Sequence, residues 1–463
     1  MTSQSHTTDR VFLFLQGPHG PFFNQLAKQL RRTGAQTWRV GFNAGDRVFW
    51  SARARYIPFR GSASNWPRAI EKILEKQLVT DVVIYGDTRP VHALAIAAAR
   101  RRGIRVHIFE EGYIRPYWVT YECNGTNGNS ALMKLSIDQI RTRWNEQRFD
   151  KPVPPSHWGD LRQHVFYGAL YHWFVLCWNQ TYPNFEPHRN LRVMQEFLLY
   201  LKRLTFMPIH GVVRRIATHR IKQKGFPYHL VLLQLEHDSA FQHHGPFKTQ
   251  ADFLARVMRG FAKGAPSHHH LVFKAHPLED GRSPLQREIK KYAQKHGITE
   301  RVHYIGGGKL AGLLNEACSA TTINSTSGQQ ALWRGIPLRV YGSAVYAKPE
   351  LVSQQTLAQF FADPHPPDVG SYQIFRNFLL ATSQLPGSFY AKSGRCQVIR
   401  QVVDLMLEGR DPYAQHAPQS EAVQQQLRLV PHSKQLKIMQ FQKDDVVSSE
   451  TKPENRLLEA VKE

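Results

Sequence analysis

Two blocks of short β-prone runs alternating with amphipathic stretches most constrain what this chain can fold into. In the first block Val11 to Leu15 reads as a buried strand, followed by the loop Gln16-Gly17-Pro18-His19-Gly20-Pro21 and a helix from Phe22 to Arg32. Thr37 to Gly41 (strand), Trp66 to Gln77 (helix), Asp81 to Tyr85 (strand), Pro90 to Arg102 (helix) and Arg105 to Phe109 (strand) continue it. The second block runs through strands at His229 to Leu235, Leu271 to Lys274, Val302 to Ile305, Ala320 to Asn324 and Pro337 to Tyr341. Its helices are expected at Thr249 to Phe261, Pro284 to His296, Leu310 to Cys318 and Gln329 to Arg334. Such alternation demands a parallel sheet with helices on both faces, here twice over. At 463 residues, 42% of them hydrophobic, the chain is long enough to build two cores. The expected fold class is therefore α/β, with two Rossmann-like domains and a helical insert between them.

The expected division is an N-terminal Rossmann-like domain over 1–140, a basic aromatic helical insert over 141–227 and a second Rossmann-like domain over 228–345. Closing helices over 346–414, mainly from Gln373 to Leu407, and a polar, loosely attached tail over 415–463 complete it. Four scattered cysteines with no CxxC spacing suit neither a zinc site nor a disulfide scaffold, and fit a reducing cytoplasm. The N-terminal apolar run, Val11 to Leu15, is too short for a signal peptide's hydrophobic region, and no apolar stretch approaches the roughly 20 residues of a membrane span.

A net charge of +24 attracts polyanions: nucleic acid, an anionic leaflet or phosphorylated substrates. Between Leu191 and Gly225 eight Lys/Arg stand against Glu196 alone, interleaved with Phe197, Leu198, Leu199, Tyr200, Leu204, Phe206 and Met207. That mixture suits an interfacial helix on anionic lipid, and equally a solvated face on an ordinary core helix.

Three strand ends carry chemistry. Glu110 and Glu111 follow an apolar run and are broken off by Gly112 and Pro116. A carboxylate next to another gains basicity by like-charge repulsion and can accept a hydroxyl proton near neutral pH; neighbours on a strand end point to opposite faces, so spacing alone does not choose between them. His276-Pro277 follows Lys274, where an imidazole and an ammonium can stabilise a leaving phosphate or serve only structure; a second His-Pro at His365-Pro366 makes the dipeptide itself weak. Ser325-Thr326-Ser327-Gly328 precedes a predicted helix and offers hydroxyls and backbone N–H groups to a phosphate, or a plain helix cap. Arg115 can hold a carboxylate or phosphate bidentately, or pair with Glu110 or Glu122. No DxD, HExxH or Walker loop is present, so metal-independent chemistry with no cofactor is expected.

The acidic-glycine, His-Pro and Ser/Thr elements resemble, in order, the motifs of bacterial sialyltransferases and related CMP-sugar transferases. Longer blocks resemble the KpsS/LipB family of capsule-biosynthesis proteins: Gly17-Pro18-His19-Gly20-Pro21-Phe22-Phe23, Glu111-Gly112-Tyr113-Ile114-Arg115-Pro116 with Thr120, Glu122 and Asn127, and Gln234 with Asp238-Ser239. The resemblance implies a GT-B fold and inverting transfer of 3-deoxy-manno-octulosonic acid (Kdo) from CMP-Kdo to a lysophosphatidylglycerol lipid, the anchor of a capsular polysaccharide. It implies a cytoplasmic enzyme on the inner face of the inner membrane, with a second Kdo transferase and a capsule export complex as partners. Glu111 would then be the base, with Glu110 beside it, and His276 would contact the CMP phosphate. Gly17, Pro18, Lys274, Pro277 and Ser325 to Gly328 would line the substrates, and Arg115 would meet the sugar carboxylate. Two rival readings are a non-catalytic assembly or export factor, indifferent to Glu111 and His276, and a nucleic-acid binder, for which no zinc finger, RRM signature or basic-region heptad is found.

Overall fold

The computed structural model describes residues 9–143, 160–186, 193–277, 279, 283–409 and 411–413. The expected tail, 415–463, and parts of the expected insert, 144–159 and 187–192, lie outside them.

The first block folds into a seven-stranded sheet of β1 (Val11–Phe14), β2 (Gln36–Gly41), β3 (Tyr56–Pro58), β4 (Asp81–Tyr85), β5 (Arg105–Glu111), β6 (Trp118–Cys123) and β12 (Gln384–Pro386), in the order β12-β6-β5-β4-β1-β2-β3. Strands β5, β4, β1, β2 and β3 are mutually parallel, while β6 runs antiparallel to both its neighbours. Strand β1 shows why alternate residues suffice to cover both faces. Phe12 and Phe14 pack with Phe22, Leu26 and the helix Lys392–Glu408. Leu13 and Leu15 pack with Trp66, Ile70 and Leu74 of the opposite layer. Burial is complete on either side, so β1 has no polar residue at all.

The second block gives a five-stranded, wholly parallel sheet of β7 (Tyr228–Leu232), β8 (His270–Lys274), β9 (Val302–Ile305), β10 (Ala317–Thr322) and β11 (Leu338–Val340), in the order β11-β10-β7-β8-β9. Leu230 and Leu232 face one core, Val231 and Leu233 the other. Two Rossmann-like sheets, as the alternation required, are thus present in one compact unit. Gln329 Nε2 donates to the Tyr113 carbonyl at 2.7 Å, and Lys348 Nζ to the carbonyls of Leu132 and Met133 at 2.9 and 3.1 Å, tying the second sheet's layer to the first block's loops.

Several boundaries differ from the expected ones. The helix expected to reach Cys318 ends at Leu314, because Ala317 already pairs with Tyr228 and starts β10. The helix expected over Gln329 to Arg334 is the five-residue turn Gly328–Leu332. Between the closing helices Val369–Ala381 and Lys392–Glu408 lies β12, which pairs antiparallel with β6 and returns the chain to the first sheet.

The described part of the insert is two helices, Asp160–Trp178 and Val193–Gln223. A glycine lets the first approach the short helix Ala44–Val48 after β2: a Cβ at Gly45 would lie 2.6 Å from the Tyr171 ring. Tyr171 is further fixed by a hydrogen bond from Asn43 Nδ2 (2.6 Å) and one to Asp46 (3.3 Å), and His19 stacks on it at 4.2 Å. The Gln16–Pro21 loop and this helix are therefore one packed assembly.

Candidate active site

In an open parallel sheet, ligands bind beyond the strands' carboxyl ends where the strand order reverses. The first sheet reverses between β1 and β4, the second between β7 and β10. A cleft of about 820 Å³ is lined by residues following all four strands: Gln16 and Pro18 after β1, Gly86 and Arg89 after β4, Gln234 and Asp238 after β7, Asn324 and Ser325 after β10. At the second reversal Gln234 Nε2 donates to Asn324 Oδ1 at 2.7 Å and the Asn324 backbone N–H donates to Gln234 Oε1 at 3.0 Å. This buried reciprocal pair fixes the loops after β7 and β10 to each other.

Both glutamates end β5 and both line the cleft. Tyr85 donates its hydroxyl to Glu111 Oε1 at 3.2 Å. Burial holds the Tyr85 phenol well above its usual range, so it remains a donor. Glu110 folds back, one carboxylate oxygen accepting the Glu111 backbone N–H at 3.0 Å. Its other oxygen sits 3.1 Å from where a Cβ at Gly86 would stand, and Gly86 has φ +69°, so glycine there makes room for the carboxylate. The expected like-charge effect falls on Glu110. Burial, reinforced by the charges of Glu111, Asp238 and Asp87, pushes its carboxyl up to about 8, against the opposing hydrogen bond from the Glu111 N–H.

His276 and Pro277 line the cleft from the end of β8, and Ser325 and Thr326 from the end of β10. Lys274, Ser327, Gly328 and Gly17 do not line it. Lys274 is buried beneath, its Nζ 3.4 Å from the Ala275 carbonyl, adjoining His276. Ser327 N–H donates to Ser325 Oγ at 3.2 Å, and Gly328 lies against Tyr346, whose hydroxyl would be 2.6 Å from a Cβ there. A five-residue helix carries little dipole, so the hydroxyls of Ser325 and Thr326 are what this loop offers to a ligand. Gly17 is needed for packing: a Cβ would fall 2.6 Å from the Phe23 ring. Arg115 is exposed at the cleft wall, its Nε donating to the Gly112 carbonyl at 3.2 Å. Glu122, considered as its partner, is buried and accepts the Tyr413 hydroxyl at 2.6 Å.

The structure also brings in groups that strand-end reasoning passed over: Tyr85 at the end of β4 and Arg89 after it, His164, Tyr171 and His172 from the Asp160–Trp178 helix, and Tyr390 from the loop after β12. Arg89 lies over the Tyr85 ring at 5.5 Å, a second cation beside the carboxylates. Gly86-Asp87 after the run Val82 to Tyr85 was a readable turn signal; nothing in the sequence tied the helix or Tyr390 to the cleft. Among the described residues no group of three or more His, Cys, Asp or Glu is arranged to hold a metal ion.

A sequence profile described as capsule polysaccharide biosynthesis protein matches residues 80–390, a stretch that contains every one of these strand-end motifs except the Gln16–Pro21 loop. The chain belongs to that family. It is 30% identical over 386 residues to the Escherichia coli capsule polysaccharide export protein KpsS, covering 82% of this chain and 97% of the relative. It is 32% identical over 390 residues to the Neisseria meningitidis capsule polysaccharide modification protein LipB, covering 82% and 91%. Among solved structures, Thermosulfurimonas dismutans KpsC, a beta Kdo 2,7 transferase, aligns at 12% identity and a TM-score of 0.40 over 86% of this chain and 100% of that one. A Neisseria meningitidis UDP-GlcNAc 2-epimerase aligns at 13% identity and a TM-score of 0.28, over 80% and 99%. Among the described residues no helix is long and apolar enough to cross a membrane.

Proposed function

We propose that this capsule-biosynthesis protein is an inverting glycosyltransferase that moves Kdo from CMP-Kdo to a lysophosphatidylglycerol-type lipid, without a metal or other cofactor. The observation that carries the reading is the composition of the cleft: a carboxylate pair from one sheet meets a histidine and two hydroxyls from the other. Those are the groups a displacement at an anomeric carbon between a hydroxyl and a phosphate ester needs.

In this mechanism Glu111, held by the Tyr85 hydroxyl, takes the proton of the acceptor hydroxyl. The acceptor oxygen forms its bond to the anomeric carbon as the bond from that carbon to the CMP phosphate oxygen breaks. The phosphate leaves with the electron pair and is met by hydrogen bonds from His276 and the hydroxyls of Ser325 and Thr326. Attack from the face opposite CMP inverts the centre. Arg115 binds the sugar carboxylate, Pro18 and Pro277 shape the walls, and Lys274 positions the His276 loop through Ala275. Glu110, mostly protonated at neutral pH, keeps a second negative charge away from the incoming anions. The enzyme works on the cytoplasmic side of the inner membrane, with a second Kdo transferase and the export complex acting on its product.

The test is incubation of the full chain with CMP-Kdo generated in situ and fluorescent lysophosphatidylglycerol, read by lipid mass. One added Kdo, lost in Glu111→Gln, is the expected result. An unmodified lipid with a folded protein and active donor supply would overturn the transferase reading and favour a non-catalytic export factor, the role named for the Escherichia coli relative.

A further inference from the structure

The helix Val193–Gln223 carries its apolar stripe on the wrong side for a core helix. Met194, Leu198, Leu201, Ile209, Val212 and Ile216 recur at intervals of three, four or eight residues and so share one face. Each is between 45% and 56% exposed. From Met194 to Ile216 the stripe runs about 33 Å at helical rise. The helix's C-terminal end is buried, where Ile221 joins the second sheet's core. The neighbouring helix Asp160–Trp178 adds Phe166, Trp173 and Trp178, exposed by 54%, 43% and 56%. Trp173 packs on Phe197 at 5.8 Å, which joins the two helices into one surface. Together they hold ten of the fifteen large apolar side chains that are exposed among the described residues. A contiguous apolar surface on this scale marks a binding face.

Charge selects the occupant. Lys202 and Arg215 are exposed on opposite flanks of the stripe, with Arg220 toward its end. From Leu198 to Lys224 the sequence has seven Lys/Arg and neither Asp nor Glu. A second copy of this chain laid on the stripe would set cations against cations, whereas an anionic bilayer offers hydrocarbon to the stripe and phosphate to its borders. The side of the Asp160–Trp178 helix opposite Phe166 and Trp173 lines the cleft through His164, Tyr171, His172 and Val175. One helix thus has its outer side on this surface and its inner side on the catalytic cavity.

We infer that the outward face of the Asp160–Trp178 and Val193–Gln223 helices docks the protein in the plane of an anionic bilayer and sets the cleft at the bilayer surface, where a lipid acceptor reaches it. The docking surface stands on its own observations; only the identity of the lipid as acceptor rests on the transferase reading.

The experiment is flotation of the full chain with phosphatidylcholine vesicles, with or without phosphatidylglycerol, in the absence of donor and acceptor. Binding to the anionic vesicles should exceed binding to neutral ones by about tenfold or more and fall with salt. Leu198→Glu with Ile209→Glu should abolish it with an unchanged melting temperature, since both side chains are exposed. Lys202→Gln with Arg215→Gln should weaken binding to anionic vesicles alone. Brominated acyl chains should quench the wild type more than Trp173→Phe with Trp178→Phe. Equal flotation of all variants, absence of quenching, or a stripe-dependent dimer by light scattering that ignores vesicles would each overturn the inference. Because binding is read without turnover, a failed transferase assay on detergent-dispersed acceptor leaves it standing, and the converse holds.

Discussion

Glu110→Gln is a test of the cleft's electrostatics that needs no substrate. The Glu110 carboxyl is pushed up from 4.5 to about 8 in the folded protein, mainly by burial. An acid whose folded value is raised keeps its proton in the native state while the unfolded chain has already released it. The native state then binds more protons, and stability falls as pH rises from the unfolded value toward the folded one. The full penalty is complete above about pH 8 and would be about 5 kcal/mol at 1.36 kcal/mol per unit. Glutamine matches the protonated carboxyl in shape and never ionises. The variant should therefore nearly equal the wild type near pH 4.5 and exceed it by several kcal/mol, on the order of 5, at pH 8.5. Chemical unfolding followed by tryptophan fluorescence at both pH values reads this directly. A stability difference that is the same at both pH values, or a variant weaker than wild type at pH 8.5, would refute the assignment of a half-buried, neutral Glu110.

If Glu111 is the base, Glu111→Gln should cost about 10²- to 10⁴-fold in Kdo transfer at pH 7, and Glu110→Gln, a copy of the neutral form, far less; equal losses in the mass assay would contradict the division of labour. Gln234→Ala leaves buried Asn324 without its reciprocal partner and should destabilise by about 1–3 kcal/mol in denaturant titration. Gly45→Ala drives a methyl into the Tyr171 ring and should cost about 1–3 kcal/mol, with raised proteolytic sensitivity in the Asp160–Trp178 helix as its local readout. Asp81 is held down to about 2: burial works to raise it, but hydrogen bonds from His107 and Arg10 outweigh burial. Its share of stability is therefore present above pH 3.8 and lost as pH falls through about 2, so Asp81→Asn should flatten the acid limb of the pH–stability curve.

What the sequence made legible follows from which interactions are local. Strand β1 and its helix Phe22–Arg32 were readable because burial on both sheet faces leaves an unbroken apolar run beside a 3.6-residue period. The strand ends were readable because glycine, proline and polar residues interrupt those runs, and Glu110, Glu111, His276 and Ser325 indeed share one cleft. Strand β12 was not readable, since three residues, Gln384–Pro386, carry no period and become a strand only by pairing with β6. Lys274 was placed at a strand end correctly, but its adjacency to His276 in sequence gave no sign that its ammonium lies beneath the loop. Nor does any local signal set Tyr171 into the cleft. That contact depends on Gly45, more than a hundred residues away, being small enough to admit the ring.

The different environments of two adjacent glutamates follow from one strand's geometry. Consecutive residues of β5 send side chains to opposite sides, so Glu110 and Glu111 must meet different neighbours even though both end in the same cleft. Glu111 meets the ring side of β4, where Tyr85 offers a hydroxyl. Glu110 meets the turn after β4, where Gly86 provides space for its carboxylate, and it accepts a hydrogen bond from the backbone N–H of its own neighbour. A half-buried, poorly solvated carboxyl near Asp87 and Asp238 is more stable neutral than charged. The strand end thus holds one carboxyl equipped with a phenol donor and one disposed to keep its proton. A phosphate- and carboxylate-bearing donor substrate would find fewer negative charges there than the sequence counts, and the free base would stand on the side served by Tyr85.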